Sequence, residues 1–222
     1  MASNTASGQR SVSLVEAHFA RVAGEGSARH THAVTLANST APGASRDLAD
    51  AVHLLCAVHG KFPGLADIAC SLAGSGARDW LRATADSFER ERLFLVRLTA
   101  AVGPLPSTPG SAATESALNA QRRAIETLAR SERNGCALGA TTALVHDWRQ
   151  VRMVLDRAAE RAGMECPPST LPGDDSIAEA IALGTDGPPS ERALAFGAEQ
   201  LLLQHRALFD LLEARAGARE DF

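Results

Sequence analysis

Along most of this chain apolar residues recur at the three-and-four spacing of an α-helix, in runs separated by glycine- and proline-rich connectors, and nowhere at the alternating spacing of a strand. The clearest run is Arg46 to Phe62. At helical periodicity Leu48, Ala51, Val52, Leu55, Val58, His59 and Phe62 share one broad face, with His59 near its middle. Ser45 can cap the start, Asp47 and Asp50 suit the positive end of the dipole, and Gly60 followed by Pro63 stops or kinks the helix. A kink there frees the carbonyl of His59, because Pro63 cannot donate to it. The sequence predicts that the fold is organised around this helix.

The 222 residues suffice for one sizeable core, read here as a single helical-bundle domain over residues 11–222 behind a disordered residue 1–10 segment. Ser13 with Glu16 reads as a capping box for a short helix to about Val22 that carries His18. Gly24 to Ala44 has no helical periodicity and is expected as a loop, a lid or an arm across the bundle. Further helices are expected to about Leu72, over Ala77–Val102, Ala112–Ser131, Cys136–Ala162 and Ser176–Leu183, and over Glu191–Arg215. Gly74-Ser75-Gly76, GPLPSTPG, Asn134-Gly135, CPPSTLPGDD and GTDGPPS separate them. The expected fold is all-α, an up-and-down bundle of four to five long helices with short additions. A core with 4% aromatics and no tyrosine must be built from Leu, Val and Ala, which suits close-packed helices.

The formal charge of -4 is spread over helix faces without a basic stripe, so nucleic acid is not an expected partner. Arg149, Arg152, Arg157 and Arg161 read as a solvated face. Cys56, Cys70, Cys136 and Cys166 lack CxxC spacing, and three lie in apolar helix patterns, which points to reduced thiols. No signal-peptide pattern and no membrane-length apolar run is present, so the expectation is a soluble, cytoplasmic protein. Glycines fall at turns and caps and form no phosphate-binding loop.

Single polar residues stand at the centre of otherwise apolar faces: His59, Glu91, Gln121 and His205, with Asp147 nearer the margin of its own. Counted from the turn at residues 74–76, His59 and Glu91 both lie about 22 to 24 Å along their helices, so they can share a layer. A buried ionised Glu91 needs a partner, and two imidazoles would supply one. Imidazole and carboxylate donors converging from several helices suit iron, manganese or zinc, which makes His59, Glu91, His205 and Asp147 metal-ligand candidates and Gln121 a ligand or cofactor contact. Redox or hydrolytic metal chemistry is then the natural class. A structural hydrogen-bond network is the plainer reading of the same residues. His30-Thr-His32 would set two imidazoles on one side of an extended segment, a second chelate pattern or simply two loop histidines.

This layout resembles the ferritin-like superfamily, whose di-iron members place a Glu on each of two helices and Glu-x-x-His on each of the other two. The resemblance covers the architecture of roughly residues 45–217 and implies a degenerate relative with one metal or none, because the chain has no Glu-x-x-His. Its nearest match, Asp50-Ala-Val-His53, is expected to point away from the face of Leu48 and Leu55. The whole chain is also similar to uncharacterised all-helical proteins of alphaproteobacterial type, which brings no function with it. The alternative is a non-catalytic bundle that forms a homodimer or docks a partner through the last helix, where Leu202, Leu203 and Phe209 widen the apolar surface.

Overall fold

A computed structural model describes residues 2–41, 43–74 and 76–220, with side chains from Leu14 onward. Every regular element among them is helical: α1 (Ala2–Glu25), a 3-10 turn (Ser27–Arg29), α2 (Thr31–Asn38), α3 (Ala44–His59), α4 (Leu65–Leu72), α5 (Arg78–Ala101), α6 (Ser111–Ala129), α7 (Cys136–Arg161), α8 (Asp174–Gly184) and α9 (Pro188–Glu220). The helices pack as a bundle, as the periodicity predicts. None among the described residues is long and apolar enough to cross a membrane.

The organising helix is α7 rather than α3. It touches α9 and α2 most extensively and also meets α1, α3, α4, α5, α6 and α8. Its buried residues cover most of the cylinder, including Leu138, Leu144, Val145, Trp148, Val151 and Leu155, with Arg149 and Met153 on a remaining exposed strip. Thr141 and Thr142 are hidden as well, because their hydroxyls donate to the carbonyls of Ala137 and Leu138 one turn back, at 2.8 and 3.0 Å. Against α9 the backbones approach so closely that a Cβ on Gly139 would collide with the Leu194 carbonyl, and one on Gly197 with the Cys136 carbonyl. Glycine is required at both positions for lack of space.

Two expectations at the N-terminal side are corrected. Ser13 lies inside α1, which starts at Ala2 and so includes residues 2–10. The stretch from Gly24 to Ala44 holds the 3-10 turn and α2, and α2 packs on α7. Ala33, Leu36 and Ala37 give α2 a buried face only one turn long, too short to register as periodicity. His30 caps it, Nδ1 accepting from the backbone N–H of His32 at 3.2 Å, so the two imidazoles do not sit on an extended strand. Met1, Pro42, Ser75, Asp221 and Phe222, which belong to the expected N-terminal segment, arm, turn and C-terminus, lie outside the described residues.

Further corrections concern faces. Phe62 is 72% exposed, since α3 ends at His59 and the chain turns before Phe62 can join its buried stripe. Asp50 is fully buried, against the outward direction expected of it. The Arg215 guanidinium grips its carboxylate through Nε and Nη2, and Arg219 adds Nη1, while Thr108 and Thr114 bond the same arginines. This cluster fastens the end of α9 to α3 and α6. Leu202 and Phe209 are buried too, leaving Leu203 as the exposed member of the three. The reason is that α9 is covered by helices on several sides, so its wide apolar surface is core.

Candidate functional site

Five of the polar residues picked out by periodicity are buried: His59, Glu91, Gln121, Asp147 and His205. Four of them, Gln121 excepted, belong to one contiguous layer across the bundle. Asp147 lies well inside it, a correction to its marginal placement, because the α1–α2 connection and α9 close over that side of α7. Its Oδ2 faces Nδ1 of His205 at 2.6 Å, and Ser27 adds a backbone N–H to Oδ1 at 2.6 Å and its hydroxyl to Oδ2 at 2.5 Å. Burial acts to raise the Asp147 carboxyl, but the hydrogen bonds from His205 and Ser27 and the nearby His205 ring outweigh it and hold the group below the usual carboxylate range. A carboxylate at that position fixes the His205 proton on Nδ1 and leaves Nε2 without a hydrogen-bond partner. Ser27 and His205 share one carboxylate oxygen, so this is not the order in which an imidazole activates a serine.

The His205 ring meets the His59 ring edge to face, with centroids 5.0 Å apart. His59 in turn lies 5.2 Å from the Trp148 ring, again edge to face. Trp148 donates its indole N–H to Glu91 at 3.0 Å, and Arg152 bridges both Glu91 oxygens at 3.0 and 3.1 Å while also reaching the Pro167 carbonyl. The partner that a buried Glu91 requires is therefore Arg152, a residue expected on a solvated face. The other three arginines of that series also hold structure: Arg149 pairs with Asp174, Arg157 reaches the Ala37 carbonyl, and Arg161 reaches Ser45.

His59 and Glu91 share a layer as counted, yet Glu91 and Asp147 are committed to other donors. Among the described residues, His59, Glu91, Asp147 and His205 do not supply three ligand atoms within reach of one ion. His30, Asp210 and Glu213 do bring their ligand atoms within 4.8 Å of one another. There, His30 accepts at Nδ1 from His32, so its proton is on Nε2 and is donated to Asp210 at 2.9 Å. An ion at Nε2 would have to displace that proton or move it to Nδ1, where the His32 N–H already points. Gln121 is buried, its Oε1 without a hydrogen-bond partner among the described residues.

What the layer does reach is a cavity of about 240 Å³ among α3, α4, α5, α6 and α7. His59 lines it in company with apolar residues such as Leu65, Phe88, Ile125 and Leu144, while exposed Lys61, Phe62 and Arg130 also line it, so it runs from core to surface. Burial, reinforced by the neighbouring His205, holds His59 well below the usual imidazole range, which makes it a neutral ring at neutral pH. Its Nε2 has no hydrogen-bond partner among the described residues.

A family model described as a family of unknown function, DUF6975, matches residues 22–220. The chain belongs to DUF6975. Comparison with curated proteins and with solved structures finds no match. The DUF6975 match takes in Ser27, His59, Glu91, Asp147, Trp148, Arg152 and His205 and all of the cavity, and leaves out His18.

Three contributors to the layer escape a reading by periodicity. Trp148 registers as an ordinary apolar residue, Arg152 as a surface charge, and Ser27 as loop. The cavity rim had a compositional signal: Lys61 is the chain's single lysine, every other basic residue among the 22 being arginine.

Proposed function

We propose that this member of DUF6975 binds a small, mainly apolar molecule in the cavity beside His59. The observation that carries the reading is the neutral, buried His59 imidazole lining an open cavity with Nε2 unpartnered. An unsatisfied buried polar group costs about 1–3 kcal/mol. The buried carboxylates Asp50, Glu91 and Asp147 all avoid that cost through paired donors, whereas His59, a lining residue of the cavity, leaves its Nε2 buried and unpartnered among the described residues. A cavity with apolar walls and few polar groups is the usual form of a small-molecule site, and about 240 Å³ lies below the drug-sized range of about 300–1,000 Å³. The Asp147–His205 pair and the Glu91–Trp148–Arg152 group then serve to hold His59 in place from behind.

The test is calorimetric titration with octanoate and 1-octanol, for the native protein and for Ile125→Trp and Leu144→Phe, each chosen to fill the cavity and each checked for native helicity. Saturable binding of one equivalent, lost in both filled variants, supports the reading. No binding of either probe, or binding unchanged in a folded filled variant, rejects it.

A further inference from the structure

The chain carries a net negative charge, yet the mouth of the His59 cavity is positive. Lys61, Arg122 and Arg130 line it against one acidic residue, Glu126. Arg130 is already spent on Glu126, with Nε donating to Oε1 at 2.9 Å. Among the described residues Arg122, which is partly buried, makes a single side-chain hydrogen bond, to Asn119 at 2.9 Å, and no ion pair, and the Lys61 side chain makes neither. Elsewhere the arginines that reach inward are matched: Arg92 with Asp67, Arg152 with Glu91, Arg215 and Arg219 with Asp50. Two cations without carboxylate partners among the described residues therefore line a cavity that His59 also lines.

We infer that the ligand is an amphipathic monoanion, a small carboxylic acid with an aliphatic or aromatic body, its carboxylate held at the mouth by Arg122 and Lys61 and its body among Leu65, Phe88 and Ile125. This rests on the proposed ligand-binding reading of the same cavity. Arg122 supplies a planar fork suited to a carboxylate, and partial burial strengthens that contact. Lys61 supplies a mobile point charge at the exposed edge. A cationic ligand would face two unpaired like charges, and a neutral one would leave both unanswered.

The experiment compares octanoate, 1-octanol and octylammonium by calorimetry on the intact chain, with Arg122→Gln, Lys61→Gln and the filled variant Ile125→Trp. The expected result is octanoate binding about tenfold or more tighter than 1-octanol, no measurable octylammonium binding, and a loss of about tenfold for octanoate in Arg122→Gln with 1-octanol nearly unchanged. Because the chain has one lysine, reductive methylation with labelled formaldehyde reports Lys61 as a single side-chain resonance beside that of the α-amine. That resonance is expected to move saturably with octanoate and to stay in place with 1-octanol. If 1-octanol binds as well as octanoate, and Arg122→Gln and Lys61→Gln change nothing while Ile125→Trp abolishes both, the acid class is wrong and the cavity reading stands. If neither probe binds the native protein, both fall.

Discussion

His205 and Asp147 meet through one hydrogen bond of 2.6 Å, Nδ1 to Oδ2, with both side chains sealed from solvent. The same carboxylate receives the backbone and hydroxyl of Ser27, so a single side chain on α7 ties the α1–α2 connection and α9 into the core. Asp147→Ala leaves an imidazole, an N–H and a hydroxyl without their acceptor. The expected loss is about 3–5 kcal/mol by urea unfolding, the usual range for removing one partner of a buried pair. Asp147→Asn, which keeps part of the hydrogen bonding, is expected to lose less.

The α7–α9 seam makes a packing prediction with an internal control. Gly139→Ala and Gly197→Ala each force a methyl into the facing backbone and are expected to cost about 1–3 kcal/mol or more. Gly217, on α9 with open space where its Cβ would go, should behave oppositely. Gly217→Ala is expected to stabilise by about 0.5–1 kcal/mol, from helix propensity alone. Thermal unfolding of the three variants checks both signs.

Acid should destabilise the fold first through its buried histidines. Burial, His146 and Arg21 lower His18 to about 4, whereas in the unfolded chain it titrates near 6.5. Between those values the unfolded state holds the extra proton, so the stability from a neutral His18 is complete above about pH 6.5 and is lost as pH falls toward 4. The expected change for His18 is about 2 kcal/mol between about pH 7.5 and 5. His59, also lowered by burial, acts in the same direction. Asp147, held below its ordinary value, adds a further loss that begins as pH falls through the usual carboxylate range and continues below it. Urea unfolding across this range, with His18→Phe expected to flatten the slope, is the measurement.

Asp50 is surrounded by two arginines and should be intolerant of neutral replacement. Asp50→Ala leaves Arg215 and Arg219 buried without their shared carboxylate, and the expected loss is again about 3–5 kcal/mol. Hydrogen exchange should show the last turns of α9 opening first in that variant, since these pairs fasten it to α3.

Much of the helix layout follows from spacing alone. Gly60, the GPLPSTPG segment and Asn134-Gly135 stop helices where expected, and His59, Glu91 and His205 lie inside because each stands in an apolar stripe. What spacing hides is pairing. Arg152 and Asp50 look like surface charges until Glu91 and Arg215 are seen opposite them, and those partners are 61 and 165 residues away in sequence. The central place of α7 is hidden for the same reason: buried Arg152 reads with its neighbouring arginines as a solvent face. Short α2 escapes notice because one turn of buried Ala and Leu carries no period.

Contact between His59 and a ligand in its cavity is read by following the His59 imidazole in long-range proton–nitrogen spectra of histidine-labelled protein, assigned with His59→Gln, while octanoate is added. The expected result is a saturable shift at the His59 ring nitrogens with the same midpoint as the calorimetric titration, and loss of both in Ile125→Trp. A His59 signal that stays fixed while octanoate saturates the protein would contradict it.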